Sequence, residues 1–235
     1  MRDRYELVKP WIDFGLASVL LLLLAPFLFI GLILVRLSSR GPVTYTQKRL
    51  GLGGKVFTIY KLRTMYVDSE IDGVARWCLP GDTRITRIGW WLRWTHVDEL
   101  PQLLNVLKGE MSLVGPRPER PEIVHQLERA LPTYRERLTV RPGVTGLAQL
   151  KLPPDTDLST VRRKLKYDLC YVEEMSLWLD LRMIAGTFLK CVGVSFDWIS
   201  RLMRLPDPNA PIDRESVSSE PELIAGSLVT DGYAR

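Results

Sequence analysis

Two adjacent carboxylates, Asp98 and Glu99, are the side chains of this 235-residue chain best suited to catalysis. Asp98 follows Arg93 by five residues. Residues 95–109, THVDELPQLLNVLKG, predict the start of a helix with Asp98 as its N-cap, Pro101 in its first turn and Gly109 at its C-terminal end. Carboxylate oxygens are ligands that Mg²⁺ prefers, and an arginine beside them suits a phosphate group. The pattern therefore predicts a site for a divalent cation and a phosphate. The alternative is that Asp98 only caps the helix, since aspartate is a common N-cap.

Three further cations lie in contexts that could present them to a phosphate. Arg117 stands between Pro116 and Pro118. Proline fixes its own backbone torsion, so the guanidinium between two prolines has a restricted direction, as bidentate phosphate contact requires. A proline-rich connector with an exposed arginine is the other interpretation. Lys61 and Arg63, in YKLRTM, end a predicted strand and are either phosphate ligands or a solvated strand end.

A membrane segment precedes these residues. Residues 14–35 contain no charged side chain, and a helix needs about 20 apolar residues to cross a bilayer. A cleaved signal peptide is the alternative, but its apolar core is shorter, at about 7–15 residues, and no small-residue cleavage motif follows here.

Pro26 lies near the middle of this apolar run and predicts a kink, because it cannot donate a backbone hydrogen bond. Basic residues flank the run on both sides, and such residues prefer the cytoplasmic face. A re-entrant helix that bends at Pro26 and returns to the same face satisfies both flanks, so we favour it. A kinked helix that crosses the bilayer remains the alternative.

The charge distribution is uneven along the chain. The net charge is +5, yet no acidic residue occurs between Asp13 and Asp68, and six acids lie in the last thirty residues. The body is therefore more basic than the whole chain and predicts an anionic partner, which is a phosphate, a nucleic acid or a membrane surface. The three cysteines, Cys78, Cys170 and Cys191, are far apart, which argues against a disulfide framework or a zinc site.

The predicted fold is α+β and mostly helical, in three parts. Residues 1–40 form the membrane anchor, residues 41–204 form a globular domain on the cytoplasmic face, and residues 205–235 form an acidic, disordered tail. In the globular domain, residues 43–48 and 55–60 predict a hairpin, and residues 141–149 predict turns. Helices are predicted at residues 87–94 and 158–173 and within residues 176–204.

Several predicted helices are rich in tryptophan, which suits the headgroup layer of a membrane. Packing into the core is the alternative for the residues concerned: Trp90, Trp91, Trp94, Trp178 and Trp198.

The chain from the hairpin onward resembles the monotopic polyprenol-phosphate phosphoglycosyl transferases, also called bacterial sugar transferases. The motifs that carry the resemblance occur in the family's order: QKRLGLGGKVFTIYKLRTM (47–65), DELPQLLNVLKGEMSLVGPRPE (98–119), RPGVTGLAQ (141–149) and YDLCYVEEMSLWLDLRMI (167–184). With the apolar helix they cover about residues 5–195. One departure is Ala25 before Pro26, where the family often has serine.

The resemblance implies an enzyme of the bacterial inner membrane with its site on the cytoplasmic face. It would move a sugar 1-phosphate from a UDP-sugar to undecaprenyl phosphate and release UMP, as the first membrane step of a surface glycan pathway. It also implies a re-entrant anchor, contact with membrane lipids and no nucleic-acid partner, and it leaves a homo-oligomer open.

The resemblance also implies roles for single residues. Asp98 would be the nucleophile and would carry the phosphosugar covalently, Glu99 would assist, and Mg²⁺ would sit at the pair. Phosphate or nucleotide contacts would come from Arg93, Arg117, Lys61 and Arg63. The rival readings are a membrane-anchored basic binding protein without catalysis and an inactive scaffold. The sugar and the pathway stay open.

Overall fold

A computed structural model describes residues 2–67, 81–153 and 157–208 of the chain. Helix α1, Arg2–Ser38, contains the whole predicted apolar run, the basic residues before it and Arg36 after it. Helical structure continues through Pro26, so the proline does not break the helix, and the bend there stays a prediction. Cys78 and residues 209–235 of the predicted disordered tail lie outside the described residues.

The predicted hairpin is confirmed. Strands β1, Thr44–Leu50, and β2, Val56–Leu62, pair antiparallel across a short 3₁₀ turn, with Tyr45 opposite Lys61. The chain can reverse direction here because Gly53 and Gly54 both adopt positive φ, a conformation that costs glycine little.

The predicted helix at residues 87–94 is confirmed as α2, Arg87–Trp94. The predicted helix start at Asp98 is wrong. Residues Val97–Glu99 form a 3₁₀ turn instead, and helix α3, Gln102–Leu107, begins only after Pro101. Gly109, with φ of 73°, follows the end of α3 as predicted.

The second half of the domain surrounds a small parallel sheet. Strand β3, Ser112–Val114, pairs with β4, Gly143–Thr145, and helix α4, Pro121–Ala130, with a 3₁₀ segment, Pro132–Thr139, connects them. The prediction of turns over residues 141–149 is therefore wrong, because this stretch supplies β4 and the start of helix α5, Leu147–Lys151.

Three helices complete the domain: α6, Leu158–Glu174, α7, Leu177–Cys191, and α8, Phe196–Met203. A capping box at Asp157 starts α6, and Ser176 caps α7. The main core lies where α6, α7 and β3 meet α1, and its most enclosed side chains include Ala17, Val114, Tyr167, Tyr171 and Met183.

The tryptophans named above are exposed, so core packing is excluded for them. Trp90, Trp91 and Trp94 expose 56–60% of their surface, and Trp178 and Trp198 expose 68% and 71%. The start of the predicted tail packs on the body: Leu205 is buried, and Asp207 accepts hydrogen bonds from Tyr167 and Lys151.

Candidate active site

The two adjacent carboxylates lie in the 3₁₀ turn between α2 and α3. His96 precedes this turn in the left-handed region, with φ of 57°, which redirects the chain as it leaves α2. Asp98 caps neither helix, since its turn begins after His96 and α3 begins after Pro101. The capping interpretation of Asp98 is therefore wrong.

Glu99 is held between two cations. Its Oε1 accepts hydrogen bonds from Lys61 Nζ at 2.6 Å and from Arg117 Nη2 at 2.7 Å, and Arg117 Nη1 reaches Oε2 at 3.4 Å. Burial alone would raise the pKa of Glu99, but Arg117 and Lys61 hold it well below its usual range. Glu99 is therefore an anion that fixes where both cations stand.

Asp98 is in a different environment although it is the next residue. It is 6% exposed, and within the described ranges no donor forms a hydrogen bond to its carboxylate. Burial and the neighbouring charge of Glu99 raise the pKa of Asp98 to about 6, against the opposing effect of Lys61, Arg93 and Arg117. Asp98 is therefore a buried carboxylate with a raised pKa, which is the kind of group that is enriched at functional sites.

Arg93 is placed by the close contact of α2 with the chain after β2. A Cβ at Gly89 would lie 2.0 Å from the carbonyl oxygen of Thr64, so only glycine permits this approach. Thr64 then accepts a hydrogen bond at its Oγ1 from Arg93 Nε, at 2.8 Å. This brings Arg93 close enough to Asp98 to favour its ionised form.

The loop that carries Arg117 is fixed by a buried ion pair that the sequence did not reveal. Arg137 donates to Asp168 from Nε and Nη2, at 2.9 and 2.7 Å, and both side chains are 2% exposed. The same Nη2 also donates to the carbonyl oxygen of Arg117, at 2.7 Å. Arg137 and Asp168 therefore act as positioning residues for Arg117.

A second group of contacts holds the same loop from the hairpin side. Arg49 donates to the carbonyl oxygen of Pro118, and Lys164 donates to the carboxylate of Glu119. Arg49 on β1 and Lys164 on α6 therefore hold the residues that follow Arg117, in addition to the restriction by Pro116 and Pro118. These contacts support the prediction that the backbone at Arg117 is rigid.

We expect Arg137→Ala to lower the free energy of unfolding by about 3–5 kcal/mol, because it leaves the charge of Asp168 buried without a partner. Chemical denaturation in detergent micelles measures the change. Arg135→Ala is the matched control, since Arg135 keeps 72% of its side chain exposed and should cost less than about 0.5 kcal/mol. Equal effects in the two variants would contradict the importance of the buried pair.

The structure places Arg63 at the end of α1. Its guanidinium donates to the carbonyl oxygens of Arg40 and Ser39, at 2.9 and 2.8 Å. These contacts fasten the chain where it leaves α1. The phosphate contact implied for Arg63 stays a prediction, whereas Lys61, Arg93 and Arg117 do gather at the two carboxylates.

The carboxylates of the site could hold Mg²⁺ in an arrangement in which Asp98 supplies the unbonded oxygens. Within residues 2–67, 81–153 and 157–208, no three His, Cys, Asp or Glu side chains converge as a metal cluster. Protein sites for Mg²⁺ often supply only one or two carboxylates, with substrate phosphates and water as the other ligands. Asp98 offers unbonded oxygens, while those of Glu99 are already engaged by Arg117 and Lys61.

Residues 4–193 match the model of the bacterial sugar transferase family. The chain belongs to this family. It is 41% identical over 183 residues to a UDP-N-acetylgalactosamine-undecaprenyl-phosphate N-acetylgalactosaminephosphotransferase of Aeromonas hydrophila, an alignment that covers 78% of this chain and 43% of the relative.

Two other relatives are nearer to this chain in length. A UDP-glucose:undecaprenyl-phosphate glucose-1-phosphate transferase of Caulobacter vibrioides is 42% identical, over 79% of this chain and 70% of the relative. The exopolysaccharide production protein PSS of Rhizobium leguminosarum is 45% identical, over 71% and 86%. Against several of the other relatives, including the Aeromonas protein, the chain spans less than half of their length.

Proposed function

We propose that the protein transfers a sugar 1-phosphate from a UDP-sugar to undecaprenyl phosphate, giving undecaprenyl-diphospho-sugar and UMP. The observation that carries this proposal is the unequal carboxylate pair. Asp98 is buried without a hydrogen-bond donor among the described residues, while Glu99 is held by Lys61 and Arg117. The relatives named as transferases between these two substrate classes support it.

The reaction balances as two displacements at the same phosphorus. A carboxylate oxygen of Asp98 attacks the β-phosphorus, the bond from that phosphorus to the bridging oxygen breaks, and UMP leaves. A phosphate oxygen of undecaprenyl phosphate then attacks the phosphorus of the aspartyl phosphosugar, and the Asp98 carboxylate is restored. Two steps at one nucleophile let a water-soluble donor and a lipid acceptor use the site in turn.

The cations around the pair reduce the repulsion between a carboxylate and a diphosphate. Arg93 and Arg117 lie beside Asp98 and would bind phosphate oxygens, as positioned cations do in phosphoryl transfer. Mg²⁺, held by Asp98 with Glu99 beside it, would neutralise further phosphate charge.

The packing of α1 supports a monotopic arrangement. Near its start, Lys9 forms an ion pair with Asp180 of α7, and Asp13 accepts a hydrogen bond from the backbone of Leu113. Near its end, Val35 is buried against Leu62 and Leu92. Both ends of α1 thus pack on the same domain, whereas only 11% of its most apolar window is buried.

A helix that crossed the bilayer would separate its two ends by about 30 Å of hydrocarbon. The contacts at both ends therefore favour an α1 that enters and leaves on one face, with its exposed apolar side chains in lipid. Since UDP-sugars are cytoplasmic, we place the active site on the cytoplasmic face of the inner membrane.

The test supplies the purified protein with undecaprenyl phosphate, Mg²⁺ and single UDP-sugars, including UDP-glucose and UDP-N-acetylgalactosamine, and measures UMP. We expect UMP release with at least one UDP-sugar, and we expect multiple turnovers only when undecaprenyl phosphate is present. A folded preparation that releases UMP with no donor would contradict the proposal and favour a membrane-anchored binding protein.

We expect Asp98 of the metal-free protein to become protonated as the pH falls through about 6, because burial and the charge of Glu99 raise its pKa to about 6. Protonated Asp98 cannot attack, so formation of the aspartyl phosphosugar should slow at low pH. Mg²⁺ bound at Asp98 would lower this pKa, so the decline should move to lower pH as the Mg²⁺ concentration rises. Single-turnover UMP release without acceptor measures it, since a phosphate monoester acceptor itself titrates near pH 6. A decline whose position does not depend on the Mg²⁺ concentration would contradict a cation bound at Asp98.

A further inference from the structure

An apolar groove of about 260 Å³ lies between α1 and α2. Its walls are formed by Phe27, Ile30 and Leu34 of α1 and by Ile88 and Trp91 of α2. Phe27, Ile30 and Trp91 expose 57%, 53% and 57% of their surface. Such large apolar side chains facing one opening favour an apolar occupant.

Gly31 brings the base of the groove close to the catalytic turn. A Cβ at this position would lie 2.8 Å from Leu62 Cδ1 and 3.2 Å from Val97 Cγ1, so the absence of a side chain lets α1 approach. The groove is consequently bounded by α1 on one side and by the residues that lead into the active site on the other.

Two residues that line the groove are the chain neighbours of charged residues of the site. Val97 lines the groove and directly precedes Asp98, and Leu92 lines it and directly precedes Arg93. An apolar occupant that extends past Val97 and Leu92 would therefore bring its end towards Asp98 and Arg93. That arrangement complements a single apolar chain that ends in a phosphate.

We propose that this groove binds the isoprene units of the polyprenyl phosphate acceptor that lie nearest to its phosphate. The inference rests on the proposed function and specifies where the acceptor enters. The groove is smaller than the roughly 300–1,000 Å³ of most ligand pockets, which suits one chain segment. It opens along the exposed apolar side of α1, so the rest of the polyprenyl chain continues into lipid.

The kinetic test narrows the groove with Leu34→Trp and, separately, with Ile30→Trp. We expect the KM for undecaprenyl phosphate to rise roughly tenfold, because the first isoprene units lose part of their buried surface. Leu22→Trp is the matched control: Leu22 lies on the same helix outside the groove and is 78% exposed. Its acceptor KM should not change.

Two outcomes separate this inference from the proposed function. If the wild-type protein releases no UMP from any UDP-sugar, the proposed function fails. If it releases UMP normally and both groove variants keep the wild-type acceptor KM, the function stands and the groove inference is overturned.

Photolabelling decides the matter on the wild-type protein, even where a variant does not fold. The probe is a polyprenyl phosphate with a diazirine in the isoprene unit next to the phosphate, in nanodiscs. We expect labelling within residues 27–34 or 88–97, blocked by undecaprenyl phosphate and not by added phosphatidylglycerol. Labelling elsewhere on α1, or equal competition by phosphatidylglycerol, would overturn the assignment.

Discussion

Asp98→Asn is expected to lower UMP release by at least about 10³–10⁴-fold, because the amide cannot form the covalent phosphosugar. The same substitution is expected to make the folded protein more stable. Burial raises the pKa of Asp98 from 3.8 to about 6, so its ionisation opposes folding. The protonated Asp98 carboxyl favours the folded state; this stabilisation is fully present below the ordinary pKa and is lost as the pH rises through about 6.

At pH about 8 the gain in the free energy of unfolding should be about 1–3 kcal/mol, and it should vanish near the ordinary pKa of 3.8. Denaturation with a chelator present measures it, since a bound cation would offset the repulsion. Glu99→Gln is the matched control with the opposite sign, because Arg117 and Lys61 lower the pKa of Glu99 and its charge stabilises the fold. A loss of stability in Asp98→Asn above pH about 6 would contradict the proposed environment.

Arg117→Ala is expected to reduce UMP release by about 10²–10³-fold. The substitution removes a cation beside the reacting phosphates and the bidentate partner of Glu99, with contacts of 2.7 and 3.4 Å. Arg117→Lys should recover only part of the rate, because an ammonium group cannot make the paired contact.

Single-turnover kinetics with UDP-sugar alone measures the Arg117 variants on the step that releases UMP. Arg135→Ala, on the exposed surface, serves as the control and should keep the wild-type rate. If Arg117→Ala retained nearly full activity while the control did as well, Arg117 would be only a structural link to Glu99.

Local patterns in the sequence predicted the elements around the site. The hairpin follows from β-rich runs separated by glycines, and α2 follows from the apolar spacing in RIGWWLRW. The start of the next helix was misplaced because Asp98 and Pro101 form a plausible cap signal. His96, whose backbone is in the left-handed conformation, starts a separate 3₁₀ turn. Nothing in the sequence marks that turn.

The charged network of the site could not be predicted because its partners are distant along the chain. Lys61 and Glu99 are separated by 38 residues, and Arg137 and Asp168 by 31. The ion pair of Lys9 with Asp180 joins residues 171 positions apart. The sequence motifs named most of the reactive side chains, but the residues that fix their positions emerge only from tertiary packing.

The central claim is that Asp98 carries the phosphosugar, and mass spectrometry of the protein tests it most directly. The protein is incubated with an active UDP-sugar and no acceptor, quenched and digested. We predict one sugar phosphate on the peptide that contains Asp98, removed when undecaprenyl phosphate is added before quenching. An adduct on another residue, or no adduct although UMP has been released, would contradict the account.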